Sequence, residues 1–140
     1  MNEPAVMEEM LRNAKVIAVV GMSDRDTRAS YHIGKYLSQH GYKVVPVNPT
    51  IQNVLGMTCY PDLESAQNAA RAHDARIDMV DVFRAPEHVP LIVDDVIRLG
   101  IKYLWLQDGV VHHEAVARAE AAGVKCVQND CIYRRHAQML

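Results

Sequence analysis

Val16-Ile-Ala-Val-Val20, closed by Gly21 and followed by Met22-Ser-Asp-Arg-Asp-Thr-Arg-Ala-Ser30, is the stretch on which the fold turns. The run is wholly apolar, mostly β-branched, and too short for a helix. It lacks the polar alternation of a half-exposed strand, so it reads as a parallel strand covered on both faces. Such a strand needs helices above and below its sheet, and the rest of the chain should therefore alternate strands with helices.

It does. Val44-Val-Pro-Val47, Asp78-Met-Val-Asp-Val-Phe83, Tyr103-Leu-Trp-Leu106 and Val124-Lys-Cys-Val127 are further β-branched or aromatic runs bounded by turn residues. Between them, Val89, Ile92, Val93, Val96 and Ile97 recur at helical spacing and share one face. Leu63 to His73 reads as a weakly amphipathic, loosely packed helix, and Ser30 reads as the N-cap of a helix running to His40. Gly41-Tyr-Lys-Val, Gly100-Ile-Lys-Tyr and Gly123-Val-Lys-Cys repeat one order of glycine, apolar residue, lysine and strand, which marks three like helix-to-strand connections. The expected fold is α/β: a Rossmann-like, doubly wound, mainly parallel sheet of five to six strands in three α/β/α layers. Pro46 must occupy a position that needs no ladder donor, and Thr58 to Tyr60 is at most a stub of edge strand.

The 140 residues suit a single domain spanning 1–140, with no linker or low-complexity break. The charge of −2 gives no general attraction to nucleic acid or an anionic membrane surface, so neither is expected as a partner. The longest apolar run falls far short of the roughly 20 residues of a membrane span. Three cysteines, Cys59, Cys126 and Cys131, form no secreted disulfide framework, and the acidic N-terminus is unlike a signal peptide. The expectation is a mature cytoplasmic protein.

In a sheet of this kind, ligands bind beyond the carboxyl ends of the strands. The segments there are Gly21–Ser30, Asn48-Pro49, Arg84-Ala-Pro86, Gln107-Asp-Gly-Val110 and Gln128-Asn-Asp130, five polar or turn-forming clusters expected on one rim. Gly21 admits a ligand close to the backbone, and a helix opening at Ser30 would attract a phosphate; equally, Gly21 serves simply to turn strand into loop. The pattern is neither GxGxxG nor a Walker loop. Asn48-Pro49 stands where an NAD site carries an acid, which disfavours NAD and leaves NADP open through Arg28 or Lys43. Arg84 is placed for phosphate or carboxylate recognition, or for a salt bridge to Asp81 or Glu87.

No catalytic set assembles. Arg25 replaces the second glycine of a GxSxG elbow, and Cys131, a candidate thiol partner for His136 on a helix, is taken as structural. His112-His-Glu114 and the Cys126, Cys131, His136 group lack metal-site spacing; the histidines read as a surface helix start.

Five blocks carry a family resemblance: Gly21-Met-Ser23 with Ser30-Tyr31; Tyr42-Lys-Val-Val-Pro-Val-Asn-Pro49; Val80-Asp-Val-Phe-Arg84; Leu104-Trp-Leu-Gln107 with Gly109-Val-Val111; and Asn129-Asp-Cys-Ile132 with His136. From about Lys15 to His136 the chain resembles the small stand-alone CoA-binding domain proteins, which are similar to the first domain of the succinyl-CoA synthetase α-subunit. The resemblance implies a module that binds coenzyme A or an acyl-CoA. It puts Gly21, Met22 and Ser23 under the nucleotide and Arg28, Ser30 and Tyr31 near its phosphates. Asn48, Pro49, Phe83 and Arg84 would form the walls, with His88 and Val89 opening the next helix. Arg135 departs from the family's acid before the terminal histidine, so no role of that acid is carried over. Ligase activity is not implied, because the synthetases' phosphohistidine domain has no room here. The competing reading is an NADP-linked oxidoreductase or redox-sensing domain; a third is an interaction protein with a vestigial pocket. No protein partner is legible.

Overall fold

The computed structural model describes residues 2–140. Helix α1 (Pro4–Asn13) leads into β1 (Val16–Val20), α2 (Ala29–Gln39) and β2 (Lys43–Val47). A small hairpin, β3 (Asn53–Val54) and β4 (Met57–Thr58), precedes α3 (Leu63–Ala72) and β5 (Met79–Val82). A 3-10 turn (Pro86–His88) then opens α4 (Val89–Arg98), followed by β6 (Tyr103–Leu106), α5 (His113–Ala121), β7 (Lys125–Val127) and α6 (Ile132–Met139). Five strands form one parallel sheet in the order β2-β1-β5-β6-β7. The Rossmann-like α/β expectation holds, with five strands in the main sheet.

Period-two alternation of wholly apolar strands divides the core in two. Ala18, Val20, Val80, Val82, Leu104 and Leu106 face α3, α4 and α5, while Ile17, Val19, Met79 and Trp105 face α1, α2 and α6. The α4 face is the one read from spacing: Val89, Val93 and Val96 are buried, with Ile92 and Ile97 packed at its margin. Helix α1 escaped the sequence reading; it turns Met7, Met10 and Leu11 inward behind an N-terminal Pro4. Helix α3 turns Leu63, Ala66, Gln67 and Ala70 inward, and buried Gln67 accepts a hydrogen bond from the Ile77 N–H at 2.9 Å.

Both sheet edges are occupied. Tyr60 bridges Val47 in parallel: its N–H donates to the Pro46 carbonyl at 3.0 Å, and its carbonyl accepts from the Asn48 N–H at 2.9 Å. The Pro46 nitrogen thus points outward from an edge strand, where it breaks no ladder bond. At the opposite edge, the Asn2 side chain makes reciprocal bonds of 2.6 and 3.0 Å with the Gln128 backbone. Ser30 is not an N-cap. Arg28 takes that position in extended backbone, and Ser30 lies inside the first turn with its hydroxyl turned back to accept from the Ser23 N–H at 2.9 Å.

Candidate functional site

Strand β1 has β2 on one side and β5 on the other, so its crossovers leave in opposite directions and a crevice opens at its carboxyl end. Gly21 lies at the base. Its N–H donates to the Val47 carbonyl at 2.8 Å, and its φ of +87° is in the left-handed region. A Cβ there would stand 2.8 Å from the Phe83 carbonyl oxygen and 3.1 Å from Arg84 Cδ. Only glycine lets the end of β1 pass so closely under the end of β5.

The loop after Gly21 is tied down by its own polar atoms. Ser23 Oγ accepts from the Arg25 N–H at 3.0 Å, and Asn48 Nδ2 donates to the Met22 carbonyl at 3.1 Å. Asn48 Oδ1 accepts from both the N–H and the hydroxyl of Thr50, at 3.0 and 2.8 Å. Asn48 therefore welds two loops and has little capacity left to hold a ribose. The resulting cleft, about 420 Å³, is lined by Gly21, Ser23, Asp24, Arg25, Arg28, Asn48, Thr50 and Ile51.

Cationic charge distinguishes this cleft. Arg12, Arg98, Arg118, Arg134 and Arg135 are ion-paired with carboxylates; among the described residues Arg25, Arg28 and Arg84 are not, and neither are Arg71 and Arg76, which stand at the end of α3 and just before β5, away from the rim. Arg84 reaches neither Asp81 nor Glu87. Its chain runs over Gly21 and its Nη2 lies 3.3 Å from His88 Nε2. A second concavity, about 310 Å³ beside β2 and α3, is off the rim and carries only Lys43 and His73 as basic groups.

The other residues named from sequence fall into two sets. Pro49 and His88 are exposed, while Tyr31 and Phe83 are half-buried against the α2 side of the core. Met22 and Val89 are fully buried, so their side chains serve packing and cannot touch a ligand. Met22 instead fills the space beside Gly34, where a Cβ would collide with its Cε. The clusters after β6 and β7 share the rim but spend their polar groups internally. Gln107 Oε1 accepts from the Ile132 N–H at 3.1 Å, and Asn129 Oδ1 accepts from the Gly109 N–H at 2.8 Å. Buried Asp130 accepts from the Cys131 N–H, Arg134 and Arg135 at 2.9 to 3.0 Å. Burial works to raise the Asp130 carboxyl, but the bonds from Arg135, Cys131 and Arg134 hold it below the usual range. His136 is engaged by the Tyr36 hydroxyl at 2.8 Å, not by Cys131.

Sequence reasoning passed over Arg25, Thr50 and Ile51, though their positions next to named residues were a usable signal. It treated Asp81 only as an ion-pair partner. Asp81 is in fact sealed between Val19 and Trp105 in the sheet, with no hydrogen bond to either oxygen, and burial pushes its carboxyl well above the ordinary range.

A family model described as a CoA binding domain matches residues 15–137. The uncharacterized protein YneT of Bacillus subtilis is 35% identical over 133 residues, which cover 95% of this chain and 93% of that one. Acetate–CoA ligase (ADP-forming) I of Archaeoglobus fulgidus is 29% identical over 135 residues, covering 89% of this chain but 18% of the ligase. A hypothetical protein from Pyrococcus horikoshii superposes with a TM-score of 0.88 at 34% identity, over 99% of this chain and 92% of that chain.

Proposed function

We propose, because this chain belongs to the CoA-binding domain family, that it binds coenzyme A or an acyl-CoA at the cleft lined by Gly21, Ser23, Arg25, Arg28 and Asn48, with Arg84 laid against Gly21 at its edge. The observation that carries the reading is a left-handed glycine with Arg84 laid against it, in a cleft that Arg25 and Arg28 line, none of the three paired with a carboxylate among the described residues. A phosphate chain lying against the Gly21 backbone would be the counter-charge those guanidiniums lack. The reading assigns binding alone and gives no side chain a catalytic role. NADP is the second candidate, favoured over NAD by one observation: the end of β2 offers Asn48, already committed, where an acid would grip ribose hydroxyls.

A thermal-shift panel of CoA, acetyl-CoA, NAD and NADP tests this. A ligand at about 100 times its Kd adds roughly 2.7 kcal/mol of stability, a readily measured shift. We expect CoA or acetyl-CoA to give the largest effect. A larger shift from either nicotinamide dinucleotide would overturn the assignment.

A further inference from the structure

We propose that Arg84, which lies against Gly21, and His88 beside it form a proton-linked phosphate clamp at the edge of the site just described; this rests on the reading that the site takes a CoA-like nucleotide. A guanidinium can only donate, so the ring nitrogen 3.3 Å from Arg84 Nη2 must accept. With Nε2 accepting, the ring proton in this contact sits on Nδ1. An incoming phosphate oxygen is a stronger acceptor for the guanidinium than the imidazole is, and it displaces the ring. The freed Nε2 then lies beside an anion, takes up one proton from the solvent and becomes a second donor. The pair passes from one positive charge to two as the ligand's negative charge arrives.

The surroundings leave this exchange unopposed. Asp81 is sealed in the sheet, and Glu87, on the same turn as His88, makes no ion pair among the described residues. Helix α4, which continues from that turn, has its acids Asp94 and Asp95 engaged by Arg118 and Arg98. The loop after β1 contributes Asp24, Arg25, Asp26 and Arg28, opposite charges in equal number.

The direct readout is the His88 Cε1 proton in NMR spectra of the whole chain, identified by its loss in His88→Gln. His88 is exposed, so this variant should fold normally. Saturating CoA should raise the titration midpoint of this ring by about one pH unit. Correspondingly, the His88-dependent part of CoA affinity should be about tenfold stronger well below the midpoint than well above it, and absent in His88→Gln. Dephospho-CoA in parallel identifies the phosphate: an undiminished shift assigns the pyrophosphate, and a lost one assigns the ribose phosphate. A midpoint that stays put or falls on CoA saturation overturns the clamp while leaving the CoA reading intact. If CoA does not bind, that reading fails instead, and inorganic pyrophosphate becomes the probe; without a His88 shift there, the clamp fails too.

Discussion

At Gly21 conformation and space coincide: its positive φ and the 2.8 Å approach of the Phe83 carbonyl both exclude a side chain. Gly21→Val should therefore cost stability even without ligand, about 1–3 kcal/mol from the backbone alone, and should lose CoA binding. Thermal melting of the unliganded variant reads the first effect and calorimetric titration the second; a variant that binds as tightly as the parent would place the nucleotide elsewhere. Asp81 poses the converse problem, a side chain with too few partners. Its carboxyl is protonated in the native state and ionises in the unfolded chain from about pH 3.9, so the unfolded state holds fewer protons. Stability associated with Asp81 is then fully present below that pH and is lost as pH rises toward the elevated native value. Asp81→Asn removes the ionisation, so its urea midpoint should gain on the parent's as pH rises above the ordinary carboxylate range. A constant difference would show that Asp81 finds a partner or stays charged in the fold.

Among the elements, four helices end in a left-handed residue one beyond the cap, and only three of these ends could be read from the sequence. After α2, α4 and α5 the residue beyond the cap is glycine, whereas after α3 it is Asp74, at φ +58°. There the Ala75 N–H returns to the Ala70 carbonyl at 2.9 Å and the Asp74 N–H to the Arg71 carbonyl at 3.1 Å. Asp74→Gly should relieve the left-handed strain and raise Tm by about 2–4 °C, for a gain near 1 kcal/mol. Helix α6 depends on Asp130, which gathers Arg134, Arg135 and the Cys131 N–H at its start. Asp130→Ala should cost about 2–3 kcal/mol. Because this carboxyl is held low in the fold, its contribution persists above the usual carboxylate range and is lost as pH falls through the native value; the variant should show a smaller acid-induced loss in chemical denaturation. Such examples define what was legible. Uninterrupted apolar strands announced the parallel sheet, and spacing announced α4, because both patterns are local. Helix α1 and the Asn48 weld were not, because one rests on three buried residues in a polar segment and the other on bonds between distant loops. The rim's five clusters could be placed from topology; which of them would exhaust their own polar groups could not.

For the molecule as a whole, burial of all three thiols makes cysteine a reporter of global opening. Cys59, Cys126 and Cys131 are each at most 8% exposed, and burial pushes the Cys126 thiol up to about 12. Native labelling by an aromatic disulfide reagent should be slow at all three and should slow further with saturating CoA, since a ligand of the native state depresses the open population. Fast labelling of one thiol would reveal a local opening there. The two occupied sheet edges bear on a different property. A parallel sheet ending in bare strands invites another copy to add itself, and such addition has no natural stopping point. Here Tyr60 covers the carboxyl half of β2, Pro46 withholds a donor, and the Asn2 amide stands in for a neighbouring strand just beyond β7. Loosening these few contacts should show itself first on storage of a concentrated solution, as turbidity, before any change in the melting curve.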